Sequence, residues 1–270
     1  MNNLSITHGA NNVGAYINDI DLNNLDQNKT YEIKNILNQF GVIFIKEQNL
    51  DPNSYQSFAK SIGQPVIYPR LKGLDEKYPF INVIERKPND KNLSFGSSWL
   101  HQDTSYLAND RPRYTMLMGI EIPKGQGNTI FSSGFNAYEK LPAEIKDQIK
   151  DAVGIFSSAG PISVTRLERE KEMGIKSSES MQAEHPIVKT VNGKKTLYVS
   201  PGHLLKIKNV KEEDADYLKD YLIEHVNKEE FIFSYEWSKN DICLWDNLSI
   251  LHMASEIKNC KRVMHRITIK

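Results

Sequence analysis

The chain has 270 residues, 39% of them hydrophobic, with 34 Lys+Arg against 34 Asp+Glu. A formal net charge of zero supplies no global field for holding nucleic acid or an anionic membrane, and no apolar run approaches the roughly 20 residues a membrane helix needs. The polar start Met1–His8 lacks the apolar core of a secretory signal, and Cys243 and Cys260 form neither a zinc cluster nor a disulfide framework, so a reduced cytoplasmic enzyme is expected.

Taken in order, Ala15-Tyr16-Ile17 reads as a strand, followed by acidic residues at Asp19 and Asp21. Asp26 to Phe40 carries helical spacing through Tyr31, Ile33, Ile36, Leu37 and Phe40. Gly41 stops that helix, and Val42–Ile45 is a short buried strand. Asp51-Pro52 opens a second helix through Tyr55, Phe58 and Ile62 to Gly63, with Pro52 suited to the first helical turn. Strands are expected at Phe80–Glu85, Trp99–Tyr106, Thr115–Glu121 and Thr129–Ser133, then a helix over Phe135–Val153 whose second part opens at Pro142. Further strands fall at His185–Val191, Lys195–Val199, Phe231–Tyr235, Asp241–Trp245 and Arg262–Ile269, with a helix over Asp214–Val226.

Many short strands with helices outside predict a mainly β fold with flanking helices. The architecture expected is a double-stranded β-helix, the jelly roll or cupin-like barrel, whose mouth can hold a cofactor. No repeat or Pro/Gly/Ser linker divides the chain, so residues 1–270 are expected to form a single domain. Residues 156–182 stand apart through the charge run Arg166-Leu167-Glu168-Arg169-Glu170-Lys171-Glu172. A solvated insertion and a lid closing over substrate are both consistent with it.

Three segments carry chemistry. In Ser98-Trp99-Leu100-His101-Gln102-Asp103, residues two apart on an extended chain share a face, so His101 and Asp103 project together. An imidazole and a carboxylate side by side make two adjacent metal ligands; a third from elsewhere would complete a facial triad suited to non-haem Fe(II). In Trp245-Asp246-Asn247-Leu248-Ser249-Ile250-Leu251-His252, a turn can present the imidazole of His252 at a barrel rim. On a strand over 262–269, Arg262, Met264 and Arg266 share one face and Val263, His265 and Ile267 the other. Two guanidinium forks on one face could hold two anions.

These segments, with Gly41-Val42-Ile43-Phe44, Gln48, Phe95-Gly96 to Leu107, Gly127-Asn128-Thr129, Phe135 to Leu141, His185-Pro186 and Leu197-Tyr198-Val199, occur in an order that resembles one family along nearly the whole length. The chain resembles the Fe(II)/2-oxoglutarate-dependent taurine dioxygenases, a family that includes the dioxygenases opening 2,4-dichlorophenoxyacetate degradation. The resemblance implies that His101, Asp103 and His252 bind Fe(II), that Thr129 and Arg262 bind the distal carboxylate of the cosubstrate 2-oxoglutarate, and that Arg266 grips an anionic group of the substrate. It implies hydroxylation of a C–H bond with dioxygen, releasing succinate and CO2. Relatives that halogenate lack the carboxylate that Asp103 retains. Relatives often pair, so a homo-oligomer is expected.

Departures bear on the substrate. Tyr68 stands where taurine-specific members carry a histidine for the sulfonate, and a phenol donates a hydrogen bond but does not become cationic. Arg70 and Lys72 nearby read as solvated, Asn128 replaces an acidic residue before the cosubstrate threonine, and Leu100 separates Trp99 from His101. Tyr106 and Asn82 fall near the metal ends of their strands, within reach of substrate or cosubstrate. His203 reads as a turn residue, and His185 and His265 as structural. The expected substrate is a small organic acid, sulfonate or amino-acid derivative. Two other readings use the same residues: a zinc-dependent hydrolase, which leaves Arg262 and Thr129 unexplained, and a non-catalytic barrel that binds a small acid.

Overall fold

The computed structural model describes residues 4–68, 71–90, 96–163, 171 and 180–270, and strands dominate it. β1 (Ile6–His8), β2 (Ala15–Ile17) and helix α1 (Gln27–Phe40) lead to β3 (Val42–Ile45), helix α2 (Pro52–Ile62), β4 (Pro65–Val66) and β5 (Asn82–Arg86). β6 (Tyr114–Glu121) and β7 (Thr129–Ser133) precede the short helices α3 (Gly134–Glu139) and α4 (Ala143–Gln148). Next come β8 (Val153–Ser157), β9 (Gln182–Pro186), β10 (Val188–Val191), β11 (Lys194–Leu197), β12 (Leu204–Lys208) and helix α5 (Ala215–Val226). The chain closes with β13 (Ile232–Tyr235), β14 (Ile242–Asp246), β15 (Ile250–Ala254) and β16 (Arg262–Ile269).

Local chemistry sets the helix ends. The Asp26 and Asp51 side chains accept hydrogen bonds from Lys29 N and Ser54 N, both at 2.7 Å, which caps α1 and α2. The eight-stranded sheet runs β1-β2-β3-β14-β6-β16-β4, with β5 also paired to β16, and β13-β7-β15 forms a smaller sheet opposite. Side chains alternate across the large sheet with period two. Ile43, Ile45, Met116, Met118, Ile242, Leu244, Ile267 and Ile269 pack outward with α1 and α2. Val42, Phe44, Leu117, Cys243, Trp245 and Met264 point inward against Phe131, Tyr235 and Ile250 of the smaller sheet. This is the expected jelly roll, although the sheets stay separate and do not close into one hydrogen-bonded barrel. A third core joins α3, α4 and α5 to β8 and β12. No helix among the described residues is long and apolar enough to cross a membrane.

Several elements differ from expectation. Trp99–Tyr106 is no strand: only His101 pairs, in an isolated bridge, and residues 103–106 form a turn. The helix expected over Phe135–Val153 is two short helices, and Val153 already begins β8. His185–Val191 is broken at Ile187, with β9 pairing β8 and β10 pairing β11. β12 and β15 went unpredicted, because Leu204–Lys208 alternates weakly and Ile250–Ala254 follows directly on a turn. Of the proposed lid 156–182, residues 164–170 and 172–179 lie outside the described residues, as do Phe95 and Arg70.

Gly41 both ends α1 and starts the packing of β3. Its φ is 76°, and a Cβ there would meet Ile250 Cγ1 at 2.8 Å and Ser249 Oγ at 2.9 Å. Gly41→Ala is therefore expected to cost at least about 1–3 kcal/mol of stability, read from the urea unfolding midpoint; an unchanged midpoint would show that the turn relaxes freely.

Candidate active site

The segment 96–107 is held by scattered clips where a strand partner was expected. His101 N donates to His252 O at 3.0 Å and His252 N to His101 O at 2.9 Å, so the two histidines form one antiparallel bridge across 151 positions of sequence. Gly202 N donates to Leu100 O, Gln102 N to Ser200 Oγ, and Asp103 N to Asn247 Oδ1. The chain then turns through Thr104 (φ 51°) directly after Asp103. His101 and Asp103 do converge, as the sequence led one to expect, but at a turn where an extended strand was predicted.

The His101 and His252 Nε2 atoms each stand 3.9 Å from Asp103 Oδ1, and the three ligand atoms lie within 4.8 Å of one another, all in buried residues. His101 Nδ1 lies 3.0 Å from the Trp99 carbonyl, which can only accept, so the ring proton sits on Nδ1 and the Nε2 lone pair faces Asp103. The other carboxylate oxygen is occupied: Thr115 Oγ1 donates to Asp103 Oδ2 at 2.6 Å and Arg266 Nη2 donates at 2.8 Å. Asn247 fixes the direction of this chain. Its Oδ1 accepts from Trp245 Nε1 and Asp103 N, its Nδ2 therefore faces Thr115, and the Thr115 proton is left for Asp103. Asp103 thus offers Oδ1 alone to a metal.

Electrostatics follow the same geometry. Burial alone would raise the Asp103 pKa, but Arg266, with both imidazoles and the Thr115 hydroxyl, holds it well below the ordinary carboxylate range. Burial, and then His101, push His252 down to about 3, and burial outweighs Asp103 in lowering His101. Both rings are neutral near pH 7, as metal-binding imidazoles must be.

A cavity of about 40 Å³, room for an ion and a water or two, is lined by His101, Asp103, His252, Thr129, Arg262 and Arg266 among others. Arg262 is buried, and its Nε and Nη2 have no partner among the described residues. Burial alone pushes it down to about 10. Gly127 (φ 75°) lets it in: a Cβ at that position would sit 2.8 Å from Arg262 Cδ. Thr129 Oγ1 accepts from Trp237 Nε1 at 2.9 Å, so its own proton is left to donate into the cavity.

Among the remaining expected residues, Tyr68 lies against Arg266, with the guanidinium carbon 4.7 Å from its ring centroid. Tyr106 is buried, and neither tyrosine lines the cavity. Asn82 is buried and stands directly across from Arg266 in the β5–β16 pairing, its Nδ2 donating to Leu71 O, whereas Trp99 is 41% exposed. His203 lies in a turn, as expected, but it is buried: its ring meets His101 at 5.9 Å and Tyr106 at 5.1 Å, and its Nδ1 contacts Ser105 Oγ and Ser200 Oγ. Thr115, Asn247 and Trp237 escaped sequence reasoning because each acts through another side chain, and only the Asp-Asn turn signal touched one of them.

A jelly roll with two histidines and one carboxylate at its mouth, and two arginines on the adjoining strand, defines a non-haem metal enzyme that admits an acidic cosubstrate. The family model for the taurine catabolism dioxygenase TauD, TfdA family matches residues 5–268, and the chain belongs to that family. It is 29% identical to an alkylsulfatase of Acinetobacter baylyi over 95% of this chain and 82% of that one. It is 26% identical to an alpha-ketoglutarate-dependent sulfate ester dioxygenase of Pseudomonas putida, over 96% and 87% respectively. The crystal structure of a taurine dioxygenase from Burkholderia xenovorans superposes with a TM-score of 0.80 at 24% identity, covering 99% of this chain and 91% of that chain. The chain is accordingly a 2-oxoglutarate-dependent dioxygenase that uses Fe(II), which sets aside the zinc hydrolase and the non-catalytic barrel.

One pH dependence follows from the turn after Asp103. His185 Nε2 lies 2.9 Å from Ser105 O and 3.0 Å from Leu107 O, and burial, then Lys189 and Arg111, push its pKa down to about 4. Its unfolded value is about 6.5, so the unfolded chain binds this proton first. Stability of the metal-free protein should be intact above about pH 6.5 and fall between about pH 6.5 and 4. Urea midpoints across that interval check it; a flat profile would contradict a neutral His185.

Proposed function

We propose that His101, Asp103 and His252 hold Fe(II), that Arg262 and Thr129 take the distal carboxylate of 2-oxoglutarate, and that Arg266, with Tyr68 and Tyr106 beside it, meets the anionic group of a small substrate. The observation that carries this reading is Arg262: a buried guanidinium with two unpartnered nitrogens is strongly unfavourable until an anion arrives. A dicarboxylate chelating a metal at the His/Asp/His cluster would extend toward it, and the Thr129 hydroxyl adds a donor.

When bound, Fe(II) and 2-oxoglutarate supply the oxidative decarboxylation to succinate and CO2 that drives oxygen into a C–H bond. The chain's own residues set the geometry. His101 presents Nε2 because its Nδ1 proton is held by Trp99 O. Asp103 stays ionised and binds through one oxygen because Thr115 and Arg266 occupy the other. Arg266 has five donors in a planar fork, so it can hold Asp103 and still face a substrate anion.

Two relatives bear names that refer to sulfate esters, which supports a sulfate ester, a sulfonate or a small organic acid as substrate. Tyr68 in place of a cationic partner argues against taurine itself. A single domain over 1–270 with 156–182 as a lid remains part of the proposal. Ser158 N donates to Met181 O and Ser158 Oγ accepts from Met181 N, so the segment leaves and returns at one point. Ile162 N donates to the carbonyl of Gly202, whose absent Cβ would lie 3.4 Å from His101 Cβ. A reduced, cytoplasmic setting agrees with the free thiols of Cys243 and Cys260, and a homo-oligomer is proposed from the habit of relatives.

Anaerobic addition of Fe(II) and 2-oxoglutarate should produce a weak visible charge-transfer band. Arg262→Ala should weaken 2-oxoglutarate binding in that titration by about 30-fold or more, whereas Arg266→Lys, which keeps a cation beside Asp103 but loses the planar fork, should leave the band and raise substrate KM. Equal loss of cosubstrate affinity in both variants would overturn the division of roles. A panel of alkyl sulfates, sulfonates and aryloxyacetates, scored by succinate release, should give at least one compound turned over well above the uncoupled rate; no response across all three classes would refute the anionic-substrate reading.

A further inference from the structure

A second basic cluster surrounds Tyr198, away from the metal ligands in sequence and absent from the cavity they line. Tyr198 is fully buried and its hydroxyl has no hydrogen-bond partner. Lys189 Nζ stands 4.0 Å from the Tyr198 ring centroid, the Arg111 guanidinium carbon 6.0 Å, and the His185 ring 5.2 Å. Arg111 donates one N–H to the Ala108 carbonyl, but its buried Nε has no acceptor. Among the described residues no carboxylate pairs with Lys189 or Arg111. Asp246, which feels the Arg111 charge, is already bound to Arg113 at 3.0 Å.

Two cations and a neutral imidazole therefore crowd one aromatic ring, and the two carboxylates that act on Tyr198, Asp246 and Asp103, are committed to Arg113 and to Arg266 with Thr115. Burial, then Arg111, push Lys189 down to about 7, and both cations help keep His185 neutral. An ordered water could satisfy the Arg111 Nε–H and the Tyr198 hydroxyl, but it would leave the cation–cation repulsion in place. A neutral ligand has the same shortcoming, and a metal cation would add to the repulsion. An oxyanion answers all of it: it accepts from Arg111, Lys189 and Tyr198 at once and supplies the missing negative charge.

We propose that Arg111, Lys189 and Tyr198 form a second site that binds a small oxyanion, of the sulfate, phosphate or carboxylate kind. The site abuts the segment that carries the metal ligands, since His185 grips the carbonyls of Ser105 and Leu107 just after Asp103 and packs against Tyr198. It does not depend on the assignment of Arg262 or Arg266.

The test is residue-specific labelling of the full-length protein loaded with Mn(II) and 2-oxoglutarate, so that the first site is occupied. Lys189 is methylated with formaldehyde and dimethylamine–borane, both uncharged, and quantified by peptide mass spectrometry. Sulfate, phosphate and acetate are titrated in separate arms at ionic strength held constant with chloride. At least one oxyanion should slow Lys189 methylation saturably, by tenfold or more, while the exposed Lys29 keeps its rate. The arms identify whether tetrahedral or planar oxyanions are preferred. Arg111→Gln should raise the half-protecting concentration more than tenfold, and Tyr198→Phe, which keeps the ring and loses the hydroxyl, should raise it about fivefold. Equal methylation with and without every oxyanion would overturn the proposal. So would protection at unchanged concentration in Arg111→Gln or, should that variant fail to fold by circular dichroism, in Tyr198→Phe.

Discussion

The buried contact between Arg266 and Asp103 ties the site together. Both side chains are almost fully excluded from water, so their 2.8 Å hydrogen bond acts at an effective dielectric far below that of water. Removing either partner would leave an uncompensated interior charge, which is among the costliest defects a fold can carry. The pair also joins the last strand to a loop 163 residues earlier, so β16 cannot slide in register without stranding Asp103. Thr115, on β6 next to β16, shares the same carboxylate oxygen. The inner face of the large sheet and the metal-ligand loop are thereby one electrostatic unit.

Arg262 and Arg266 show how position on one strand separates two like residues. They lie four residues apart on the same face of β16, both buried, one matched by a carboxylate of the protein and the other left with unpartnered nitrogens. A folded protein tolerates the second case only where burial elsewhere is secure. The outward faces of β3, β6, β14 and β16 supply that security in an unbroken row of isoleucine, leucine and methionine against α1 and α2. On the inner face, Phe44 stacks on Tyr235 at 4.7 Å, and the Tyr235 hydroxyl donates to Asp241. Aromatic packing thus stiffens the interior behind Arg262, where an adaptable wall would let the guanidinium escape to water.

The loop bearing His101 and Asp103 illustrates a different economy. It forms no ladder, yet its backbone groups find partners in His252, Ser200, Asn247, Gly202 and His185. A ladder would continue the strand past Asp103, whereas separate clips let the chain turn at Thr104 while Thr115 and Arg266 hold the carboxylate toward two imidazoles. The same turn brings the Ser105 hydroxyl within 2.9 Å of His203 Nδ1. Oxygen chemistry at such a centre requires ligands that do not wander, and backbone and side-chain anchors from four separate segments provide this without the symmetry of a sheet.

The sequence by itself named the cluster residues through a resemblance to relatives along nearly the whole chain, and it determined the jelly roll and the inward face of β16 more directly. Those properties rest on local periodicity and on residue chemistry, both of which survive without coordinates: the alternation of Ile242 to Trp245, the caps at Asp26 and Asp51, the paired arginines. Only the tertiary structure decided that 99–106 is a clipped turn, because its hydrogen-bond partners come from residues about 80 to 150 positions away and leave no local pattern. The same holds for the Asn247–Thr115–Asp103 chain, for His203 beside His101, and for the basic groups around Tyr198. Each is a contact between distant segments whose individual residues read as ordinary. Periodicity reports which face of an element is buried; which polar atoms meet inside, and which are left waiting for a partner, is settled only when the sheets close on one another.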